Sequence, residues 1–278
     1  MRHAKGFWED KVVLITGGSS GIGLAVARLL AGKGARLWLM ARDPQKLEAA
    51  RGEMSALDAR FCGILPADVT DPAGVAQAIR TVEQQTGAPD VVIASAGIVE
   101  PGYFQELSLE TFSKTMEVNF LGAVNVIKAC LPGMLARKSG HVALISSAAG
   151  YLGVAGYTAY SPSKYALRGF AEALRMEMRY AGISVSVVYP PDTDTPQLAY
   201  ERSFKIPEID ILRQLDGIAS PQEVAKAIIR GIERKRFIIA PLASNHLFYH
   251  VIRWLDTGSF FIIDWLSDLG RKRAGKTS

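Results

Sequence analysis

Lys11-Val12-Val13-Leu14-Ile15-Thr16-Gly17-Gly18-Ser19-Ser20-Gly21-Ile22-Gly23 decides the fold of this 278-residue chain. Val12 to Ile15 form an unbroken aliphatic run, short enough for a strand buried on both faces. Glycines end it, and a helical run follows from Leu24 to Leu30. A buried strand that turns through glycines into a helix is the setting of a dinucleotide-binding loop. Gly17 allows the tight turn, Gly21 lets the backbone approach a pyrophosphate, and Gly23 lets the helix pack close to the strand. The exposed N–H groups and the helix dipole then favour phosphate. A plain strand–helix turn is the alternative reading of the same residues.

Working outward, strands are predicted at 11–16, 35–40, 60–65, 90–94, 141–147, 183–189 and 236–240. Helical patterns fall between them at 21–33, 44–57, 72–86, 108–136, 158–181 and 221–234. Strands alternating with helices imply right-handed crossovers and a doubly wound parallel sheet, the Rossmann type of α/β fold. Ligands of such sheets sit beyond the C-terminal ends of the strands, where the glycine turn, Ser95 to Gly97, Ser147 and Pro190 all fall. A hydrophobic content of 49% and 26 glycines fit one α/β domain with a large core. The expected division is a catalytic domain over 1–242 and an apolar, aromatic helical extension over 243–278.

Tyr160-Ser161-Pro162-Ser163-Lys164 carries the chemistry. A tyrosine and a lysine four apart share one helix face. An ammonium beside the phenol is expected to lower its pKa toward the working pH, giving an acid and base for interconverting an alcohol and a ketone. Pro162 falls in the first helical turn, where a missing N–H costs little. Tyr157 is a decoy, with no cation four residues on.

Thr16-Gly-x-x-x-Gly-Ile-Gly23, Asp68, Asn119, Ser147 and Tyr160-x-x-x-Lys164, in this order, resemble the short-chain dehydrogenase/reductase family from about Asp10 to Leu242. The resemblance implies that Tyr160 protonates the carbonyl oxygen in the reductive direction. Lys164 tunes Tyr160 and holds the nicotinamide ribose. Ser147, thirteen residues before Tyr160, bonds the substrate oxygen, and Asn119 fixes a water that links Lys164 to solvent. Ser146 is the rival of Ser147; strand alternation sends the two to opposite faces. Cofactor contacts are implied for Gly17, Ser19, Ser20, Gly21, Ile22, Gly23, Asp68, Val69, Ala96, Gly97, Tyr160, Lys164, Pro190 and Thr193. One departure is Ala94-Ser95-Ala96-Gly97 where the family usually has Asn-Asn-Ala-Gly, which puts the support of the central sheet in question.

The end of the second strand reads Leu39-Met40-Ala41-Arg42, with a small residue where NAD enzymes usually place an acid. Arg42 can pair with a 2′-phosphate, helped by Ser20 and Lys46, so NADPH/NADP+ is the expected cofactor. Asp43 before Pro44 is expected to cap a helix. Asp68 is read as an adenine contact, and Asp71 before Pro72 suits capping better.

Tyr189-Pro190-Pro191-Asp192-Thr193-Asp194-Thr195-Pro196 replaces the family's usual Pro-Gly. Together with the glycine loop and Arg168-Gly169 it resembles the 3-ketodihydrosphingosine reductases of that family. The expected substrate is a long-chain amino-ketone lipid, with Asp192 or Asp194 near its ammonium group. Two alternatives stay open: another hydrophobic ketone or alcohol, steroid or retinoid-like, and a silent nucleotide-binding scaffold.

The tail, His246 to Trp254 and Ser259 to Ser267 followed by Arg271, Lys272, Arg273 and Lys276, suits a segment at a membrane surface. An oligomer interface and a helix covering the core are the other readings. His246 and His250 lack a third ligand, so no metal is expected. The net charge of +5 comes without a basic, aromatic stripe, so no nucleic-acid partner is expected. Cys62 and Cys130 lack redox spacing and suit a reducing compartment. No apolar h-region precedes the first strand and no uncharged apolar run reaches about 18 residues. The expectation is a cytoplasmic protein, peripheral on the cytoplasmic face of a membrane, that assembles as a homo-dimer or tetramer.

Overall fold

The computed structural model describes residues 6–57, 59–210, 217–273 and 275. Seven strands form one sheet in the order β3-β2-β1-β4-β5-β6-β7, every neighbouring pair parallel. They are β1 Val12–Thr16, β2 Arg36–Ala41, β3 Phe61–Pro66, β4 Val91–Ala94, β5 Gly140–Ile145, β6 Ile183–Val188 and β7 Ile238–Ile239. Val13, Leu14, Leu37, Leu39, Val92 and Ile93 are wholly buried because helices cover both faces. The order reverses between β1 and β4, so the crevice of a doubly wound sheet opens there.

One face is covered by α1 Gly21–Ala31, α2 Pro44–Ala56 and a helix at Pro221–Glu233 that we number α8. The other is covered by α3 Pro72–Thr86, α5 Gly122–Ala136 and α6 Tyr160–Met178. Caps fix the helix starts: Asp43 accepts from the N–H groups of Gln45 and Lys46, Asp71 from that of Ala73, and Ser220 forms a reciprocal capping box with Glu223.

Three departures from the sequence reading have physical causes. The run 108–136 is not one uniform helix: α4 Leu109–Met116 passes through a wide π-turn at Glu117–Leu121 before α5. The turn carries Asn119, whose buried amide bonds elsewhere rather than projecting along a regular face. The strand expected at 236–240 shrinks to two residues because β7 is an edge strand, paired only through Val187↔Ile238 and Val188↔Ile239. A short helix, α7 Pro196–Glu201, was not expected; Thr195 caps it by accepting from Leu198 N–H, and Pro196 opens it.

The stretch Leu109–Ala136 is long and apolar enough, by length and composition, to cross a membrane. Its inward residues Val126, Ile127, Cys130 and Met134 instead pack into the sheet's core cluster. The tail forms α9 Ala243–Leu255 and α10 Ser259–Arg273. Tyr249 and Ile252 of α9 join that same cluster, so the inner face of the extension covers the core. Tyr249 stacks on Tyr189 at 5.3 Å and meets Tyr151 edge-on at 5.1 Å. Arg168 of α6 sits over the Tyr249 ring, 6.0 Å from its centre.

Candidate active site

The glycine loop has the geometry its sequence implies. Gly17 and Gly21 take φ of 64° and 53°, where a side chain is strained. A Cβ on Gly23 would lie 2.5 Å from the Gly17 carbonyl oxygen, so only glycine lets α1 start this close to β1. The exit of β4 is held from β1: the Thr16 hydroxyl oxygen accepts from the N–H groups of Ser95 and Ala96, each at 3.0 Å. That bond replaces the doubt raised by Ser95, because the tie runs through its backbone.

A groove continues from this loop past the end of β2. It is lined by Gly17, Ser19 and Ser20, by Arg42 and Lys46, and by Asp68, Val69, Ala96 and Gly97. Arg42 is exposed at its mouth, and no acid from β2 opposes it, since Asp43 is spent on the α2 cap. Asp68 does not cap a helix. It accepts from the N–H and hydroxyl of Thr70, both at 2.9 Å. Burial pulls its pKa upward, but these bonds and the Arg42 charge outweigh it and leave the carboxyl below its ordinary value. Val69 is held through its carbonyl, which accepts from Asn125 at 2.9 Å.

The candidate catalytic groups converge beyond β4, β5 and β6. Tyr160 and Lys164, one turn apart on α6, are both buried and face a cleft with Ser147, Gly97 and Pro190. Ser146 points away and donates to the Lys164 carbonyl at 2.9 Å, which settles the choice of serine facing the cleft. Lys164 Nζ donates to the Ile145 carbonyl at 3.1 Å. Asn119 does not face the cleft: its Oδ1 accepts from Ile98 N–H at 2.7 Å, and its Nδ2 donates to the Ile98 carbonyl and Ser163 Oγ, both at 2.9 Å. Both amide hydrogens are used, so the side chain braces the β4 exit against α6. A Cβ at Gly97 would stand 3.1 Å from Asn119 Oδ1 and 3.4 Å from Lys164 Nζ, which keeps that backbone bare beside the ammonium. Thr193, also on the cleft, is pinned by its hydroxyl to the Pro191 carbonyl at 2.8 Å.

The electrostatics correct one expectation. Lys164 does not pull the Tyr160 phenol down; burial, and next the Glu201 carboxylate, push it above its ordinary value, against bonds from Ser147 and Gln197. The reason is placement: the ammonium lies over the tyrosine ring, 5.4 Å from its centre. Burial in turn lowers Lys164 to about 8, with Glu201 opposing. The phenol is thereby kept protonated, as a proton donor needs to be.

Sequence reasoning missed Gln197 and Glu201, which α7 brings into the cleft, and misjudged Tyr157. The Tyr157 hydroxyl donates to Glu201 in a short bond, its ring meets Tyr160 at 5.3 Å, and it lines the cleft. A Gln–Glu pair four apart after a Thr-Pro start was the available signal. Asp192 lines the cleft as well, whereas Asp194 is exposed and does not.

Beside this polar cleft lies an apolar cavity of about 350 Å³, walled by Leu152, Val154, Ile209, Leu247, Phe248 and Val251 among others. The two spaces share Ser147, Tyr157, Pro190 and Asp192, so the reactive hydroxyls stand where a polar chamber meets an apolar one. The outer side of the extension beyond that cavity exposes Trp254, Phe261 and Trp265. Of the basic cluster, Arg271 is committed to Glu208, its Nε 2.7 Å from the carboxylate, and Lys276 lies outside the described residues. His246 and His250 pack ring to ring at 4.6 Å. Cys62 and Cys130 are free thiols raised well above their ordinary values by burial.

A parallel sheet with a glycine-rich crevice at its switch point and a Ser–Tyr–Lys cleft beside it defines a nucleotide-dependent oxidoreductase. The chain belongs to the short chain dehydrogenase family, whose sequence pattern matches residues 11–205. It is 40% identical to a 3-dehydrosphinganine reductase of Danio rerio, over 81% of this chain and 69% of that one. It is 39% identical to a 3-ketodihydrosphingosine reductase of Bos taurus over the same shares. Among solved structures, the apo form of LigD from Sphingobium sp. strain SYK-6 superposes with a TM-score of 0.75 at 26% identity, covering 87% of this chain and 94% of that one. A nicotinamide dinucleotide is the cofactor such a chain uses.

Proposed function

We propose that the chain reduces the 3-keto group of 3-ketodihydrosphingosine to dihydrosphingosine with NADPH, a step in making sphingolipids. The observation that carries this reading is the junction of the polar and apolar chambers at Ser147 and Tyr157. In a sphingoid ketone the carbonyl is itself the junction, with a hydroxyl and an amine on one side and a long alkyl chain on the other. The names of the Danio rerio and Bos taurus relatives point the same way.

The glycine loop, the bare Gly97 backbone and the groove leading to Arg42 suit a dinucleotide phosphate, and Arg42 favours a 2′-phosphate over a free hydroxyl. Reduced nicotinamide, when bound, supplies the hydride. Ser147 Oγ and the Tyr160 hydroxyl hold the carbonyl oxygen, Tyr160 gives it a proton, and Lys164 supplies positive charge beside the ribose and the phenol. Asn119 keeps the Ile98 backbone and α6 in register. The alkyl chain lies in the cavity along α9, and the exposed aromatics beyond it lean on the cytoplasmic face of a membrane that holds the lipid. Assembly as a dimer or tetramer is part of the same proposal, and sedimentation of the purified chain measures it.

The test is NADPH oxidation by the purified protein with 3-ketosphinganine, a steroid ketone and a short-chain ketone, with Tyr160→Phe as control. Preference for the sphingoid ketone by about a hundredfold or more in kcat/KM is expected, as is loss of at least about a hundredfold in the variant. A steroid or short ketone turned over as well as the sphingoid would overturn the reading.

A further inference from the structure

Glu201 is a carboxylate placed where a ketone reductase has no need of one. It is buried, at 7% exposure, on the last turn of α7. Its Oε2 accepts from the Tyr157 hydroxyl and its Oε1 from Gln197 Nε2 at 3.0 Å. It lines the same cleft as Tyr160, Lys164 and Ser147. Its negative charge works against proton transfer from Tyr160 by raising the phenol, so a role in the chemical step does not account for it. Nor does packing: a buried carboxylate costs free energy that a glutamine of the same shape would avoid.

A cationic ligand does account for it. We propose that Glu201 is the specificity-determining residue that receives the ammonium group of an amino-ketone substrate, an inference that rests on the proposed reduction of such a ketone. With the carbonyl oxygen on Ser147 and Tyr160, and the alkyl chain in the cavity toward Leu247, the polar head has only the other chamber to enter. The walls of that chamber include Tyr157, Gln197, Glu201 and Asp192. The amine of the head is one carbon from the carbonyl, which brings it to the Glu201 side. In a cleft shielded from water the attraction between ammonium and carboxylate is several times stronger than in solution. Tyr157 and Gln197 hold the carboxylate in place, so little ordering is needed on binding. A neutral ketone of the same length forfeits that attraction.

The experiment compares three substrates of equal chain length: 3-ketosphinganine, its 2-desamino analogue and its N-acetyl derivative, which keeps the nitrogen but not the charge. In the wild-type protein the amine should be favoured over both neutral ketones by about a hundredfold in kcat/KM, mainly through KM. Glu201→Gln should lower kcat/KM for the amine by about a hundredfold and leave the desamino ketone within about threefold. A merely structural loss would lower both alike, and that outcome overturns the inference while leaving the sphingoid function intact. Equal efficiency of the wild type on all three ketones also overturns it and needs no variant to fold. If the wild type reduces only the desamino ketone, the proposed function itself falls. NADPH binding, followed by fluorescence, should be the same in both proteins.

Discussion

Lys164 carries a charge that its surroundings disfavour. Burial lowers it from 10.5 to about 8, a penalty on the charged form of roughly 3 kcal/mol. Lys164→Met removes that penalty but orphans the Ile145 carbonyl, which costs about 1–2 kcal/mol. The variant should therefore be inactive yet more stable than the wild type by about 1–2 kcal/mol at pH 7. The pH dependence has a definite sign. Between pH 8 and 10.5 the unfolded lysine holds a proton that the folded one has lost, so wild-type stability rises with pH across this window. The variant should lack that rise; denaturant melts at pH 7, 8, 9 and 10 compare the two, and parallel curves would refute the buried charge. At this scale the sequence was legible where spacing alone sets position: Tyr160 and Lys164 share a face by helical geometry, and Ser147 and Ser146 part by strand alternation. It was not legible for Glu201, because the chain must first fold α7 over the cleft before that carboxylate meets Tyr157.

At the scale of elements, the turn from β2 into α2 decides the cofactor. Asp43 spends its carboxylate on the N–H groups of Gln45 and Lys46, which leaves Arg42 as the charge that faces the groove. Arg42→Asp should raise the KM for NADPH by about thirtyfold or more, through a lost charge-assisted pair and added repulsion, while the KM for NADH stays or falls. Steady-state kinetics with both cofactors measure it, and an unchanged ratio would place the phosphate elsewhere. The cap was readable from Asp-Pro in sequence, as was Asp71-Pro72. The π-turn at Glu117–Leu121 was not, because a helical apolar pattern persists through it. What distinguishes it is the set of partners around Asn119, and those come from β4 and α6. Likewise β7 looked like a full strand, but its length is set by how much of β6 is left to pair with.

Across the whole molecule, the sheet divides the labour: its first half builds the phosphate groove, and its second half, with the tail, builds the lipid-sized chamber. The aromatics of the extension fall into two sets that the sequence could not separate. Tyr249 lies in the core, whereas Trp254, Phe261 and Trp265 are 84%, 83% and 61% exposed. Deleting the tail would strip the core as well as the surface, so substitution is the cleaner probe. Trp254→Ser, Phe261→Ser and Trp265→Ser together should leave the melting temperature within about 2 °C, since exposed sites contribute little to stability. Co-sedimentation with anionic phospholipid vesicles should fall at least about tenfold, because interfacial aromatics and their buried area drive such binding. Turnover of a long-chain ketone presented in vesicles should drop while that of a soluble short ketone holds. Vesicle binding equal to wild type would assign these rings to a subunit interface instead.

The pairing of Arg271 with Glu208 ties the end of the chain to its middle. Glu208 is buried, accepts from the Tyr103 hydroxyl at 3.0 Å, and meets Arg271 of α10 at 2.7 Å. During synthesis chains fold from the N-terminus as they emerge. The phosphate groove draws on residues before 120 and can form while the ribosome is still at work. The lipid chamber waits for Leu247, Phe248 and Val251, and the lock on Glu208 waits for Arg271, among the last residues made. A nascent chain is thus able to take up its nucleotide before it can take up a lipid, and it acquires its second ligand only on release.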